Sequence, residues 1–321
     1  MKKALTNPKV VIIILNWNGS KDTIECIESV KNIDYPNFEI LIVDNGSTDG
    51  SQDLFRIKYP TVAMIENRRN LGFAEGNNVG IKHALKRGTD YVLLLNNDTI
   101  VARDFLDKLV DHAKKDSKTG IFGPKIYWHN EPNRIQSVGT SINLWGSKDL
   151  ISLWNGKDLL IWKRDRYYPI DKGQFEDVRE VETLSGAALL VKKEAIEKIG
   201  VLWNEYFTSF EDTDWCLRAR REGYKVIVVP TSKIWHKTGS ATRGNEGIAF
   251  YYQTRNRFLF AKRCLTPTQF MTFMTYFFSV RVPLSIAAFV LYRKGNLLRI
   301  FCKAIRDGII SSAKVTPLYE S

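Results

Sequence analysis

The sequence predicts an α/β fold, in which a mostly parallel sheet is flanked by helices and followed by a basic helical extension. Short apolar runs alternate with amphipathic stretches through the first 130 residues. The runs are nearly continuous in Val, Ile and Leu, which is typical of parallel strands buried on both faces. From residue 255 onward the chain carries 11 Lys and Arg against 2 Asp and Glu. With 44% hydrophobic residues the chain can bury a large core, which excludes a disordered protein.

The first part of the chain predicts strands over 10–15, 39–43, 62–66 and 91–95. Amphipathic helices are expected near 22–31, 51–59, 74–87 and 104–115. This βαβαβαβα order is typical of a sheet covered by helices through right-handed crossovers. The first apolar run has only six residues before polar Asn16, so we interpret it as a buried strand and not as a secretory signal.

The middle of the chain changes character over 128–182, which is rich in tryptophan and charge and has weak periodicity. A long irregular insert of this kind favours a binding loop or lid. Regular patterns then predict a strand within 184–191, a helix ending at Ile199, a helix near 212–222 and a strand over 225–229.

The C-terminal extension contains two apolar runs, 270–280 and 284–292, separated by Arg281 and Pro283. Neither run reaches the ~20 residues that span a bilayer, so interfacial helices on an anionic membrane are favoured. A helical hairpin packed on the core or on a second subunit, a solvated basic tail and a nucleic-acid-binding tail are the alternatives. The long aromatic runs between Lys and Arg favour lipid over a phosphate backbone.

The four cysteines form no CxxC pair, so they fit neither a disulfide framework nor a zinc site. A reducing compartment is the simplest interpretation of Cys26, Cys216, Cys264 and Cys302.

Polar residues follow three of the predicted strands, at 16–19, 44–47 and 96–98. In an open α/β sheet, ligands bind beyond the carboxyl ends of the strands. The Asp44 carboxylate can accept from a base imide N–H or a ribose hydroxyl, although a capped turn needs the same residues. Asp98 can hold a divalent cation on a diphosphate, or cap a helix.

The segment 70–80 carries three glycines at the start of a predicted helix. Such glycines allow either a close approach to phosphate at the helix N-terminus or tight packing of the helix on the sheet. The motif contains neither GK[ST] nor GxGxxG.

Three acids, Glu211, Asp212 and Asp214, lie in the first turn of a later helix. One of them can act as a general base for an acceptor hydroxyl, although acids at this position also favour the helix dipole. His236 follows the last predicted strand and can join a carboxylate on an Mn²⁺-like ion. A histidine alone in a loop is more often structural.

Together these motifs resemble glycosyltransferase family 2, and most of all its rhamnosyltransferase-like enzymes of cell-surface polysaccharide synthesis. The motifs occur in the family's order across residues 8–240: Asn16-Trp-Asn-Gly, Asp44-Asn-Gly-Ser-Thr-Asp-Gly, Asn70-Leu-Gly-Phe-Ala-Glu-Gly-Asn-Asn-Val-Gly, Leu-Asn-Asn-Asp98, Ser185-Gly-Ala-Ala, Phe-Glu-Asp212 and His236-Lys.

The resemblance implies a GT-A (Rossmann-like) domain over 1–254, with a donor half at 8–127, an acceptor half at 128–254 and the extension at 255–321. It implies that a nucleotide-sugar donor is bound by Asn16, Asn18, Asp44, Asn70, Gly72, Phe73, Asn77, Asn96 and Asn97. A divalent metal, Mn²⁺ or Mg²⁺, would be held by Asp98 and His236, with Asp212 as the catalytic base. The acceptor would meet Trp128, Trp145, Glu211 and Asp214. One departure is Asn96, which replaces the first acid of the family's DxD motif, as it does in the rhamnosyltransferase-like relatives.

The implied reaction is an inverting transfer of a sugar from dTDP-rhamnose or a UDP-sugar to a hydroxyl of a glycan acceptor. We expect a cytoplasmic protein, peripheral on the inner face of the cell membrane, and this location implies an acceptor carried on a lipid such as a polyprenyl diphosphate glycan. A homodimer is the alternative use of the tail. A nucleotidyltransferase is a rival, but it would need a Gly-rich basic loop where this chain has Asn16-Trp-Asn-Gly. A silent sugar-binding or scaffold protein is disfavoured by the acids at the strand ends, and we expect no nucleic-acid partner.

Overall fold

The computed structural model describes residues 7–140, 169–237 and 246–311. Among these residues, one compact unit comprises 7–140, 169–207 and 211–237, and a second comprises 208–210 and 246–311. The first unit is a sheet flanked by helices, so the predicted α/β class is confirmed. The helix Glu246–Cys264 runs through residue 254, where the sequence suggested a boundary.

The strands form one sheet in the order β3-β2-β1-β4-β9-β6-β10-β5, with β7 paired to β6 and β8 to β10. Their bounds are β1 Val10–Asn16, β2 Phe38–Asp44, β3 Ala63–Glu66, β4 Tyr91–Asn96, β5 Thr99–Val101, β6 Thr119–Trp128, β7 Glu131–Ser137, β8 Arg179–Glu180, β9 Ala188–Lys192 and β10 Lys225–His236.

The helices of the first unit are α1 Ser20–Lys31, α2 Ser51–Lys58, α3 Gly72–Lys86, α4 Phe105–Lys115, α5 Lys193–Ile199 and α6 Glu211–Arg221. Those of the second unit are α7 Glu246–Cys264, α8 Pro267–Tyr276, α9 Val282–Leu291 and α10 Gly295–Ile310.

The parallel half of the sheet is the half that the alternating pattern predicted. Strands β3, β2, β1 and β4 are parallel neighbours. In β1, Val10, Ile12 and Ile14 pack into one core cluster, whereas Val11 and Ile13 pack into another on the opposite face. Because side chains alternate along a strand, a continuous apolar run is needed to fill both cores. Beyond β4 the sheet is mixed, since β9 is antiparallel to both β4 and β6.

Several strand assignments differ from the sequence-based expectation, and the short strand β5 was among those not predicted. Strand β6 was not predicted, because Gly120, Gly123 and Pro124 are residues that weaken or interrupt strands. Strand β10 was expected to end at Val229, before Pro230, but it continues to His236 through an irregularity between Val229 and Lys233. Within the described residues of the insert, 128–140 and 169–182, strands β7 and β8 were not expected.

The second unit has its own aromatic core, which includes Phe258, Phe273, Phe277, Phe289 and Phe301. A π-helical turn, Phe277–Arg281, joins α8 to α9 in one continuous helix. This corrects the expectation of two separate short helices. The joined helix Pro267–Leu291 has 25 residues, and its most apolar 18-residue window has a mean hydropathy of 1.6, so it is long and apolar enough to cross a bilayer by length and composition alone.

Candidate active site

Asn16 joins the carboxyl ends of β1 and β2. Its Nδ2 donates to Asp44 Oδ2 at 2.8 Å and to Ser47 Oγ at 3.0 Å. The other Asp44 oxygen, Oδ1, accepts from the Ser47 N–H at 2.9 Å and from Gln52 Nε2 at 2.7 Å. Asp44 is 0% exposed, so in this conformation its carboxylate shapes the turn that follows β2. Its contact with a nucleoside stays a prediction.

The loops after β1 and β2 are tied together by Asn18, which adopts a left-handed conformation with φ 50°. Its Oδ1 accepts from the Thr48 N–H at 2.7 Å, and its own N–H donates to Ser47 Oγ at 2.9 Å. A residue with a short polar side chain is suited to this conformation, because it can form such local hydrogen bonds.

Thr23 connects these loops to the end of β4. Its hydroxyl donates to Asn16 Oδ1 at 2.7 Å and accepts from Asn97 Nδ2 at 2.9 Å. A chain of hydrogen bonds therefore runs from Asp44 through Asn16 and Thr23 to Asn97, and it unites polar residues from three strand ends at one edge of the sheet.

The glycines of α3 serve close packing. A Cβ added at Gly76 would lie 2.7 Å from Leu15 Cδ1, and one at Gly80 would lie 2.7 Å from Ile13 Cγ2. Gly72 has φ +80°, and a Cβ there would lie 2.6 Å from Phe207. Of the two interpretations of this motif, the structure shows tight packing of α3 on β1 for Gly76 and Gly80.

Three further residues of the predicted donor set have structural contacts in this region. Asn70 Oδ1 accepts from Asn45 Nδ2 at 2.9 Å and from the Gly72 N–H at 2.8 Å. Asn77 Nδ2 donates to the Phe73 carbonyl within α3 at 2.9 Å. Their roles in donor binding stay predictions.

Asp98 and His236 meet at the edge of the sheet. His236 Nε2 lies 3.0 Å from Asp98 Oδ1, and both side chains are almost buried. His236 pairs with Thr99 of β5 and with Trp128 of β6 in the strand register. It is therefore held at the end of β10, and not in a loop beyond the strand as expected.

The backbone and Lys237 reinforce this position. The Lys237 N–H donates to the Asp98 carbonyl at 2.9 Å, and its Nζ lies 2.8 Å from Asp22 on α1, with Glu25 also in contact. The second nitrogen of His236, Nδ1, lies 2.8 Å from Gln136 Oε1 on β7.

The side chains around His236 fit a divalent cation. The described residues contain no group of three or more His, Cys, Asp or Glu that could hold a metal. However, Asn96 Oδ1 is buried and has no hydrogen-bond partner in the part of the chain that the structure describes, and Asn96 Nδ2 lies 3.4 Å from His236 Nε2. One carboxylate, one imidazole and a nearby amide suit Mn²⁺ or Mg²⁺ when diphosphate oxygens complete the coordination.

Asp212 lies in the first turn of α6. Its Oδ2 accepts from the Gly186 N–H at 2.8 Å, and its Oδ1 accepts from the Thr213 N–H at 2.7 Å. A Cβ added at Gly186 would lie 3.3 Å from Asp212 Oδ2, so the glycine permits this approach. Burial raises the pKa of the Asp212 carboxyl, which is the direction that makes a carboxylate a better base.

The peptide at 186–187 joins the two parts of the site. Gly186 donates to Asp212, and the carbonyl of Ala187 accepts from the Asn96 N–H at 3.0 Å. Adjacent residues of one segment therefore hold Asp212, the predicted base, and Asn96, which lies beside the predicted metal ligands.

The remaining acceptor-side residues differ in their surroundings. Glu211 is buried, and its Oε2 has no hydrogen-bond partner among the described residues. Burial, with Asp212 nearby, raises the pKa of Glu211 well above the usual value. Asp214 is 0% exposed and pairs with Arg218 at 2.8 Å, so we infer a structural role for it in place of the expected acceptor contact. Trp128 ends β6 beside His236, whereas Trp145 lies outside the described residues.

Sequence reasoning missed Thr23, Gln52 and Gln136. The first two lie on helices next to recognised motifs and could have been found from helical spacing. Gln136 lies on a strand inside the apparently irregular insert, where no local pattern singles it out.

The mixed α/β sheet with helices on its faces matches solved structures of glycosyltransferases with the GT-A architecture. Residues 11–200 match the model of the family described as glycosyl transferase family 2. The chain belongs to this family, and it is a glycosyltransferase.

Two curated relatives indicate the kind of enzyme that the chain is similar to. The dTDP-rhamnosyl transferase RfbF of Shigella flexneri is 23% identical over 269 residues, which cover 81% of this chain and 82% of that protein. The N-acetylglucosaminyl-diphospho-decaprenol L-rhamnosyltransferase of Mycobacterium tuberculosis is 27% identical over 217 residues, covering 63% of this chain and 67% of that protein.

Solved structures share the fold at low identity. The mannosyltransferase PcManGT of Pyrobaculum calidifontis, in complex with GDP-Man and Mn²⁺, is 17% identical with a TM-score of 0.55 and covers 95% of this chain and 85% of its own. S. aureus TarS 1-349 in complex with UDP-GlcNAc is 18% identical with a TM-score of 0.58, covering 94% and 80%.

Proposed function

We propose that this glycosyltransferase inverts the anomeric carbon as it moves a sugar from dTDP-rhamnose or a UDP-sugar to a hydroxyl of a glycan acceptor. The observation that carries the proposal is the position of half-buried Asp212, linked through 186–187 to Asn96 and thus to the edge where Asp98 and His236 meet. The names of the two rhamnosyltransferase relatives support the choice of donor.

The proposed reaction is a single displacement. Asp212 accepts the proton of the acceptor hydroxyl as that oxygen bonds to the anomeric carbon, while the bond from this carbon to the diphosphate oxygen breaks. Asp98 and His236 would hold a divalent ion, which when bound neutralises charge on the departing diphosphate. The hydrogen bonds from Gly186 and Thr213 hold the Asp212 carboxylate in one orientation.

Replacement of the base tests this mechanism. We expect Asp212→Asn to lower turnover by about 10²–10⁴-fold, because general-base assistance is lost, and to leave donor binding measured by calorimetry unchanged. Asp111→Asn, at an exposed acid of α4, is the matched control. Turnover of Asp212→Asn close to that of the wild type would move the role of base to Glu211.

The donor is best identified by thermal shift with a panel of dTDP-, UDP- and GDP-sugars, with and without Mn²⁺. Thymine and uracil present the same imide edge, so Asp44 does not distinguish between them. A shift with dTDP-rhamnose alone would assign the donor, and a shift with GDP-sugars alone would overturn both named donors.

We further propose that the acceptor is carried on a polyprenyl lipid and that the protein works at the inner face of the cell membrane. Exposed Met271, Val290 and Leu291 on the helix Pro267–Leu291 support a lipid-facing surface, as do the neighbouring cations Arg293 and Lys294. The decaprenol-linked substrate in the name of the mycobacterial relative supports a lipid-linked acceptor. Co-sedimentation with anionic vesicles measures this association.

A further inference from the structure

We infer that Gln136 is a positioning residue for the proposed metal site, because it fixes the imidazole of His236 with Nε2 directed at Asp98. The inference rests on the proposed metal role of Asp98 and His236. It concerns a residue that neither donates to the metal nor belongs to any of the motifs that predict the family.

The first step is the tautomer of His236. The amide oxygen of Gln136 can only accept a hydrogen bond, and it lies 2.8 Å from His236 Nδ1. The hydrogen of a neutral imidazole must therefore be on Nδ1, which leaves the lone pair on Nε2. Asn96 supports the same tautomer independently, because its Nδ2 donor lies 3.4 Å from Nε2.

The second step is the contact between His236 and Asp98. With the hydrogen on Nδ1, the Nε2 lone pair lies 3.0 Å from a carboxylate oxygen, so two acceptors face each other. Such a pair is repulsive unless a cation or a proton lies between them. Gln136 thus orients the ring so that the pair is ready for a cation.

The third step is the rigidity of the support. Gln136 lies between Ile135 and Ser137, and both of these residues pair with β6. His236 pairs with Trp128 on the other side of β6. The contact between Gln136 and His236 therefore spans the end of β6, and the sheet holds both partners. A hydrogen bond to the second nitrogen of a metal-binding histidine typically fixes its tautomer and orientation in this way.

Variants of the full-length protein separate the role of the acceptor oxygen from that of side-chain volume. Gln136→Leu removes the acceptor with little change of size, whereas Gln136→Glu keeps an acceptor at the same reach. With UDP present and at a fixed pH above the titration range of histidine, we expect Gln136→Leu to weaken Mn²⁺ binding by about 10–100-fold. Gln136→Glu should retain it, as should the control Gln253→Leu at an exposed position of α7.

Two readouts do not depend on activity. Free Mn²⁺ measured by electron paramagnetic resonance gives the affinity, and ¹⁵N NMR of the imidazole in metal-free protein gives the tautomer. The His236 signals are assigned among the 4 histidines by their loss in His236→Gln. We expect the Nδ1–H form in wild type and in Gln136→Glu, and a shift toward Nε2–H in Gln136→Leu.

The outcomes distinguish failure of this inference from failure of the metal proposal. Wild-type protein that takes up no Mn²⁺ with UDP overturns the metal proposal and the inference with it. Wild-type protein that binds Mn²⁺, together with a folded Gln136→Leu of equal affinity and unchanged tautomer, overturns the role of Gln136 alone. Loss of binding in Gln136→Leu with recovery in Gln136→Glu supports it.

Discussion

At the scale of single residues, the two adjacent acids at the start of α6 are expected to differ in protonation. Burial and then the charge of Asp212 raise the pKa of Glu211 well above its usual value, whereas the raised pKa of Asp212 is opposed by hydrogen bonds from Gly186 and Thr213. Glu211 therefore holds its proton to higher pH, which leaves Asp212 as the ionised base.

This difference predicts the pH dependence of turnover. As the pH falls through the raised pKa of Asp212, the base becomes protonated and activity is lost, so the acid limb of kcat should lie above the usual aspartate value of ~3.9. Glu211→Gln mimics the protonated form and should retain most of the turnover and the same limb. A limb at the ordinary aspartate value, or a Glu211→Gln variant as inactive as Asp212→Asn, would contradict this assignment.

The third acid, Asp214, is expected to affect stability. It is fully buried and pairs with Arg218, whose guanidinium also donates to the carbonyls of Ile199 and Val201. We expect Asp214→Ala to lower the free energy of unfolding by about 3–5 kcal/mol, because an uncompensated buried charge remains. Asp53→Ala is the matched control, since the ion pair of Asp53 with Arg56 is exposed and worth at most ~1 kcal/mol. Equal urea midpoints for the two variants would rule out the structural role.

At the scale of elements, the glycines of α3 let this helix pack closely on β1 and β2, whose carboxyl ends carry residues of the candidate active site. A methyl group at Gly80 would lie 2.7 Å from Ile13 Cγ2 and 3.1 Å from Val43 Cγ2, so the helix or the strands must move. We expect Gly80→Ala to cost about 1–3 kcal/mol in chemical denaturation, which is typical of overpacking. Gly295→Ala is the control, because a Cβ there meets nothing within 4 Å. Equal stability of the two variants would mean that the packing can adjust.

The elements also show how far the sequence alone could predict the structure. Strands β1, β2 and β4 were predicted to within about one residue at each end, since each is an apolar run that ends in a polar residue. The polar residues that end these runs, or follow them closely, predicted that Asn16, Asp44 and Asp98 lie at the edge of the sheet formed by the carboxyl ends of the strands. The pattern of apolar runs failed to predict β6 and the end of β10, where tertiary pairing overrides the local effect of glycine and proline.

This failure explains why only part of the proposed metal site could be predicted from the sequence. His236 was recognised from its motif, but its partner Gln136 lies on β7. Strand β7 pairs with β6, and because β6 was not predicted, there was no reason from the sequence to expect a strand at Gln136. The contact joins residues 100 positions apart and depends on three strands, so no local spacing encodes it.

At the scale of the whole molecule, the family match and the geometry support the assignments of different site residues. The match covers residues 11–200, which include Asp44 and Asp98 but neither Asp212 nor His236. The assignments of base and second metal ligand therefore depend on the hydrogen bonds to Gly186 and on the contact with Asp98. Family membership shows glycosyl transfer, whereas the proposed donor, acceptor and site residues need the experiments above.

The last prediction concerns the C-terminal unit as a membrane-binding surface. The helix Pro267–Leu291 buries only 22% of its most apolar window and leaves Met271, Val290 and Leu291 well exposed. Because interfacial binding combines apolar burial with attraction to anionic lipid, full-length protein should co-sediment with phosphatidylglycerol vesicles more than with phosphatidylcholine vesicles.

Substitutions separate the two contributions to this binding. Met271→Gln with Val290→Gln should weaken binding to both kinds of vesicle, because apolar contact is lost, whereas Arg293→Gln with Lys294→Gln should remove only the preference for anionic lipid. Ile57→Gln, at a residue that is 80% exposed on α2, is the control for loss of a surface apolar group. High salt should release part of the bound protein if it lies at the interface, since charge attraction is screened. Protein that sediments with neither lipid would contradict membrane binding, and protein released only by detergent would indicate that the 25-residue helix spans the bilayer.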